Sequence, residues 1–289
     1  MGHPQIAAFA RLAEGAAQPT RRIEGQKTLL ARTMHAIAYD EVHDEFTVPQ
    51  AFSQAILTFR GGANGEEAPI RVIQGDRTGL LMPDTLAVDP IHNEIFVPER
   101  GNRETAGGFI QVFRREDNGN VAPIRRIQGP TAALGGFMKV GVDPIHNLLV
   151  VSGSGGGLKI FDRTAHGDAK PLRIITGGPQ SGVSGPSGHF AVYPPTGMIV
   201  ATTSPHRGSS GGSGGGDSRG SGFGAAPSET FVGAWSIVED NGDVPPRWTI
   251  VHAFYREARG VTLDPRNKTL IVSDKGINAV ATYHLPEIF

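Results

Sequence analysis

The chain has 289 residues, 38% hydrophobic and 19% charged, with a formal net charge of -1. That composition suits a globular chain and gives no global field to attract nucleic acid or a membrane surface. There is no cysteine, which excludes disulfides and thiolate metal sites, while 40 glycines and 21 prolines suit a fold of many turns.

In chain order, a short strand is expected at Ile6–Phe9 and another at Pro19–Gly25. From Ala36 a four-strand pattern then recurs. Its first strand, a, is small and β-branched: Ala36–Asp40, Thr85–Asp89, Lys139–Asp143, His189–Tyr193 and Gly260–Asp264. A tight turn leads to strand b: Phe46–Pro49, Glu94–Pro98, Leu148–Ser152, Met198–Thr202 and Thr269–Ser273. Strand c ends on an aromatic residue, as in Phe109–Arg114, and a hairpin such as Asn118-Gly119 returns the chain into strand d, as in Pro123–Gln128.

Strands c and d carry a spaced signature. It reads Phe9/Pro19/Arg21/Ile23/Gly25, Phe59/Pro69/Arg71/Ile73/Gly75, Phe113/Pro123/Arg125/Ile127/Gly129 and Phe161/Pro171/Arg173/Ile175/Gly177. A worn copy keeps Trp235/Pro245/Arg247. A period near fifty residues, with four antiparallel strands per repeat, predicts an all-β fold. The fold expected is a single β-propeller domain over 1–289 with four-stranded blades, five in number, or six if a further a–b pair exists. The last three strands would make the final blade. Pro19–Gly25 would add its missing d strand, so that the N- and C-terminal strands close the ring. Ile6–Phe9 is then one c strand too many, free to lie over the closing blade or to pair with another chain. Residues 205–230 interrupt the fourth repeat with a Gly/Ser-rich tract, expected as a flexible loop between strands b and c.

The segments LAVDPIHNEIFV (86–97), VGVDPIHNLLVV (140–151) and VTLDPRNKTLIV (261–272) resemble the NHL-type propeller repeat. Glu99-Arg100-Gly101-Asn102 and Asp274-Lys275-Gly276-Ile277-Asn278 partly match the acidic residue and asparagine that follow strand b in that family. The resemblance implies the fold. The family includes partner-binding modules, RNA binders, lyases and lactone hydrolases, so it leaves function open.

Most repeated polar residues have a structural reading. The arginine of strand d would lie along a blade edge and pair with a carboxylate or a turn carbonyl. His43, His92 and His146 fall in the a–b turns, on different blades and too far apart for one metal. Gly-x-Ser-x-Gly matches around Ser210 and Ser218 lack the strand and helix of a nucleophile elbow. Asp240-Asn241-Gly242-Asp243 is read as a hairpin turn rather than a calcium loop. No cofactor motif is present, metal ligands are not expected, and the sparse aromatics disfavour nucleic acid.

The best functional surface is the mouth of the central channel, on the face where strand a begins, where a small-molecule ligand could sit. There the aligned positions diverge in chemistry while the strand cores stay alike. His35, Asp84, His189 and Arg259 form a candidate acid–base and anion-positioning set. Lys139, Glu99, Arg100, Asn102, His206, Asp274 and Lys275 are candidate binding residues on the same face. Two functions follow: a non-enzymatic binding or assembly module, self-associating through the surplus N-terminal strand, or a small-molecule hydrolase or lyase of the lactone, ester or glycan class. No apolar run is long enough to span a bilayer, and no signal peptide is expected. Either the cytoplasm or a mature exported state fits.

Overall fold

The protein is described here by a computed structural model. It covers residues 4–32, 34–102, 105, 107–153, 157–183, 189–203, 231–251, 255 and 258–289. The 205–230 tract, with Ser210, Ser218 and His206, lies outside the described residues. The fold is all-β, a β-propeller of five blades. Among the described residues the only helical pieces are four short 3-10 turns, and no helix is long and apolar enough to cross a membrane.

The chain divides into two compact units, residues 1–130 with 166–168, and residues 131–165 with 169–289. The first unit opens with a hairpin, β1 (Gln5–Ala8) and β2 (Arg21–Glu24). Two four-stranded sheets follow. One is β3 (Ala38–Asp40), β4 (Glu45–Gln50), β5 (Ala55–Arg60) and β6 (Arg71–Gln74). The other is β7 (Ala87–Asp89), β8 (Glu94–Glu99), β9 (Phe109–Arg114) and β10 (Arg125–Ile127).

The second unit holds β11 (Lys139–Asp143), β12 (Leu148–Ser152), β13 (Leu158–Asp162) and β14 (Arg173–Ile175) in one sheet. Its next sheet is β15 (Phe190–Tyr193), β16 (Met198–Thr203), β17 (Phe231–Ser236) and β18 (Trp248–Val251). Its last has three strands, β19 (Ala258–Asp264), β20 (Thr269–Asp274) and β21 (Ala279–His284).

The signature residues build blades. Phe59, Phe113, Phe161 and Trp235 are fully buried on strand c. The d-strand isoleucine forms a parallel bridge to the hairpin glycine of the next repeat: Ile23 to Gly65, Ile73 to Gly119, Ile127 to Gly167 and Ile175 to Gly242. The asparagine before that glycine adds a side-chain bond, with Asn118 Oδ1 accepting from Val72 N at 2.8 Å and Asn241 Oδ1 from Ile174 N at 3.0 Å. The Asn-Gly pairs are therefore blade-to-blade clasps as well as turns. The glycine closing the signature has a matching cause. At Gly75, φ is 127° and a Cβ would sit 2.5 Å from Asn120 Cγ, whose Oδ1 accepts from Arg77 N at 2.8 Å. In the third repeat this place falls to Gly178, packed against Asp243, rather than to Gly177.

The arginines act as expected. Arg125 forks onto Glu94 at 2.5 and 2.7 Å. Arg71 pairs with Glu45, which also accepts from Arg115 at 2.9 Å. Where no glutamate is present, Arg21 donates to the Gly61 carbonyl at 2.6 Å and Arg173 to the Ile237 carbonyl at 2.8 Å.

Hydrogen bonding at the chain's two ends differs from the expected arrangement in one respect. The Pro19–Gly25 segment does not add to the C-terminal sheet as its fourth hydrogen-bonded strand. It pairs instead with β1, Ile6 opposite Ile23. The c strand that was one too many thus has its partner in its own hairpin, where the connection through residues 9–20 costs less loop entropy than closure through the rest of the chain. Each of these elements keeps an open side. Among the described residues no strand pairs with the other edge of β1 or of β21.

Candidate functional site

The a–b turns are spent on structure. Asp89 Oδ1 accepts from Ile91 N at 3.0 Å and His92 N at 2.9 Å, and Oδ2 meets His92 Nδ1 at 2.8 Å. The same set recurs at Asp40/His43 and Asp143/His146. At Asp264 an asparagine takes the histidine's place, Asn267 Nδ2 donating at 2.7 Å. These histidines tie their own turns, which is why they recur. Among the described residues no three His, Asp or Glu side chains converge as metal ligands.

Two members of the acid–base set do meet. His35 precedes β3 and Asp84 precedes β7, and His35 Nδ1 contacts Asp84 Oδ1. The imidazole is half exposed while the carboxylate is mostly covered. His189 and Arg259 belong to the second unit, His189 just before β15 and Arg259 within β19. The His189 carbonyl accepts from Thr202 N at 2.9 Å. Lys139 begins β11 of that unit.

The residues after strand b serve local structure. Asp274 Oδ1 accepts from Gly276 N at 2.7 Å and Ile277 N at 3.2 Å, which leaves Lys275 exposed on the turn. Asn102 Oδ1 accepts from Thr105 N at 3.0 Å, and Arg100 beside it is half-buried. Glu99 is buried at the end of β8, where its two oxygens accept from Leu81 N at 3.1 Å and Met82 N at 2.8 Å. Burial pushes its carboxyl up to about 7, against the opposing pull of those two amides and of Arg126. In the preceding blade Gln50 holds the equivalent loop with a neutral amide, Oε1 accepting from Ala31 N at 2.7 Å.

The feature that sequence reasoning missed lies beside His35. Two adjoining hollows, of about 300 and 220 Å³, run between β1 and the first blade. Ile6 and Ile37 line both. His35 and Val48 line the larger, Tyr39 and Phe46 the smaller. Ile6 packs on the Phe46/Val48 surface of strand b as Ile56 of β5 packs on Ile95 and Val97 of the next blade. The hairpin therefore packs on the first blade as a c–d pair does, and among the described residues no further strand is hydrogen-bonded to it. Ile37 and Tyr39 are accordingly 56% and 62% exposed, whereas Leu86, at the place of Ile37 in the next blade, is buried. The signal in the sequence is a c–d pair at Ile6–Gly25 with no a–b pair before it. The groove offers an apolar floor beside an unpaired strand edge, the combination that takes an extended segment by strand addition. His35, in contact with Asp84, lies on the wall of the larger hollow.

No family model matches the chain, and no curated protein matches it. Solved structures do. The Kuenenia stuttgartiensis hydrazine synthase is 13% identical over 83% of this chain and 55% of its own, with a TM-score of 0.54. The β-propeller domain of Myceliophteria thermophila Cps50 (Swd1) is 8% identical over 89% of this chain and 67% of its own, also at 0.54. The likeness is one of fold alone. This chain spans little more than half the length of the hydrazine synthase chain.

Proposed function

We propose that this propeller is a binding and assembly module that works without catalysis and self-associates through its N-terminal hairpin. The observation that carries the reading is the apolar groove beside the open edge of β1, with Ile37 and Tyr39 bare on its wall. The NHL-type likeness of the a–b segments agrees, since that family includes partner-binding modules. The recurring arginines and turn histidines are engaged in structural bonds, in keeping with their reading as parts of the scaffold. Light scattering on a size-exclusion column should give a mass above the 30.5 kDa protomer that rises with concentration. Deleting residues 1–12 should return it to the protomer. A strict monomer at high concentration would count decisively against self-association.

The His35–Asp84 contact favours a second reading, a hydrolase or lyase acting on lactones, esters or glycosides, with His189 and Arg259 as further acid–base and anion-positioning groups. Under it, His35→Ala lowers turnover by about a hundredfold or more while the thermal midpoint holds. Full turnover in both His35→Ala and His189→Ala removes this reading.

A further inference from the structure

Among the described residues two strands are incomplete in opposite ways. β21 is a c strand without the d strand that should lie on its outer side. β1 is a c strand without the b strand that should lie on its inner side. The position three residues before the c-strand aromatic makes the difference visible. Ile56, Ile110, Leu158 and Val232 occupy it and are buried, whereas Val280 in β21 is 68% exposed.

Neither edge is blunted by its own residues. β1 is Gln5-Ile6-Ala7-Ala8, and β21 runs from Ala279 to His284 as AVATYH. Neither contains Lys, Arg, Asp, Glu or Pro, the residues that ordinarily blunt a free edge. Beside β1 lies the apolar groove of Ile6, Ile37, Tyr39 and Phe46, and Val280 presents an uncovered apolar side chain of the kind that fills this place in other blades.

We infer that the outer edge of β21 in one copy of this chain pairs with the open edge of β1 in a second copy. The resulting sheet runs β19–β20–β21 and then β1–β2 of the neighbour, with no free edge at the junction. Val280 turns into the neighbour's groove, over Ile37 and Tyr39. Because each chain carries one edge of each kind, the contact is head-to-tail and generates a closed ring of subunits or an open chain of them. The inference rests on the assembly reading above and names its acceptor.

The absence of cysteine makes the test clean. Chains carrying Ala7→Cys, mixed with chains of different mass carrying Ala281→Cys, are joined by oxidation or a short bismaleimide and separated under denaturing conditions. The mixed-mass dimer should dominate over either homodimer. Val280→Lys should weaken assembly by about tenfold or more while leaving the thermal midpoint unchanged at dilutions where wild type is already a protomer, since that side chain is exposed within one copy. An oligomer that Val280→Lys leaves intact, with no mixed dimer, overturns this pairing but not self-association. A wild-type chain that stays monomeric overturns both. A doubly substituted Ala7→Cys/Ala281→Cys chain that joins only within itself assigns the two edges to one molecule and overturns the second copy.

Discussion

Phe113→Ala lowers the unfolding free energy by about 3–5 kcal/mol, whereas Phe9→Ala, at the same place in the repeat, lowers it by less than about 0.5 kcal/mol. Phe113 is fully buried in a core cluster with Ile56, Ile95 and Val97. Truncating it removes a large apolar surface from the interior and leaves a cavity that rigid sheets on either side cannot close. Phe9 lies just past β1 and is 55% exposed, so its truncation changes little. Urea titration of both variants is the measurement. Equal losses at the two positions would mean that Phe9 is covered in solution, and hence that a partner or a neighbouring copy sits on the hairpin.

Glu99→Gln should abolish a pH dependence worth on the order of 3 kcal/mol. The wild-type carboxyl is pushed from an ordinary 4.5 up to about 7 by burial. A carboxyl with a raised value holds its proton in the folded state and loses it in the unfolded chain. Its contribution is therefore fully present below about pH 4.5 and is lost as pH rises through about 7. Relative to Glu99→Gln, wild type should thus lose stability between pH 5 and 7 and level off above. Gln50 already performs the same loop-holding bond in the preceding blade, so glutamine is compatible with the position. Chemical denaturation at a series of pH values compares the two curves. A wild-type curve that climbs above the glutamine variant toward neutral pH would show that the Leu81 and Met82 amides, rather than burial, set the charge of this carboxyl.

Much of the blade was legible because its determinants are local. The aromatic of strand c, the hairpin glycine and the arginine of strand d each report a contact that recurs from repeat to repeat, so their spacing alone located most strands to within two residues. The Asp-x-x-His turns were legible for the same reason. Glu99 was not. Its neighbour on the repeat is Gln50, and nothing in the spelling of the segment tells a buried carboxyl from an exposed one, since burial depends on loops 17 and 18 residues away. The open groove was half-legible: a c–d pair without an a–b pair can be counted, but which strand it would take as neighbour cannot.

What the amino-acid sequence determined by itself is the repeat: strand period, turn chemistry and blade number follow from side-chain alternation and from residues that tolerate positive φ, all properties of a few contiguous positions. What only the tertiary structure decided is the fate of the edges. Whether β2 pairs with β1 or completes the C-terminal sheet is a competition between nearly equivalent c strands for one row of backbone hydrogen bonds. Both strands satisfy the same local pattern, so the outcome is set by long-range placement. That outcome left β21 and the wall of Ile37 and Tyr39 uncovered.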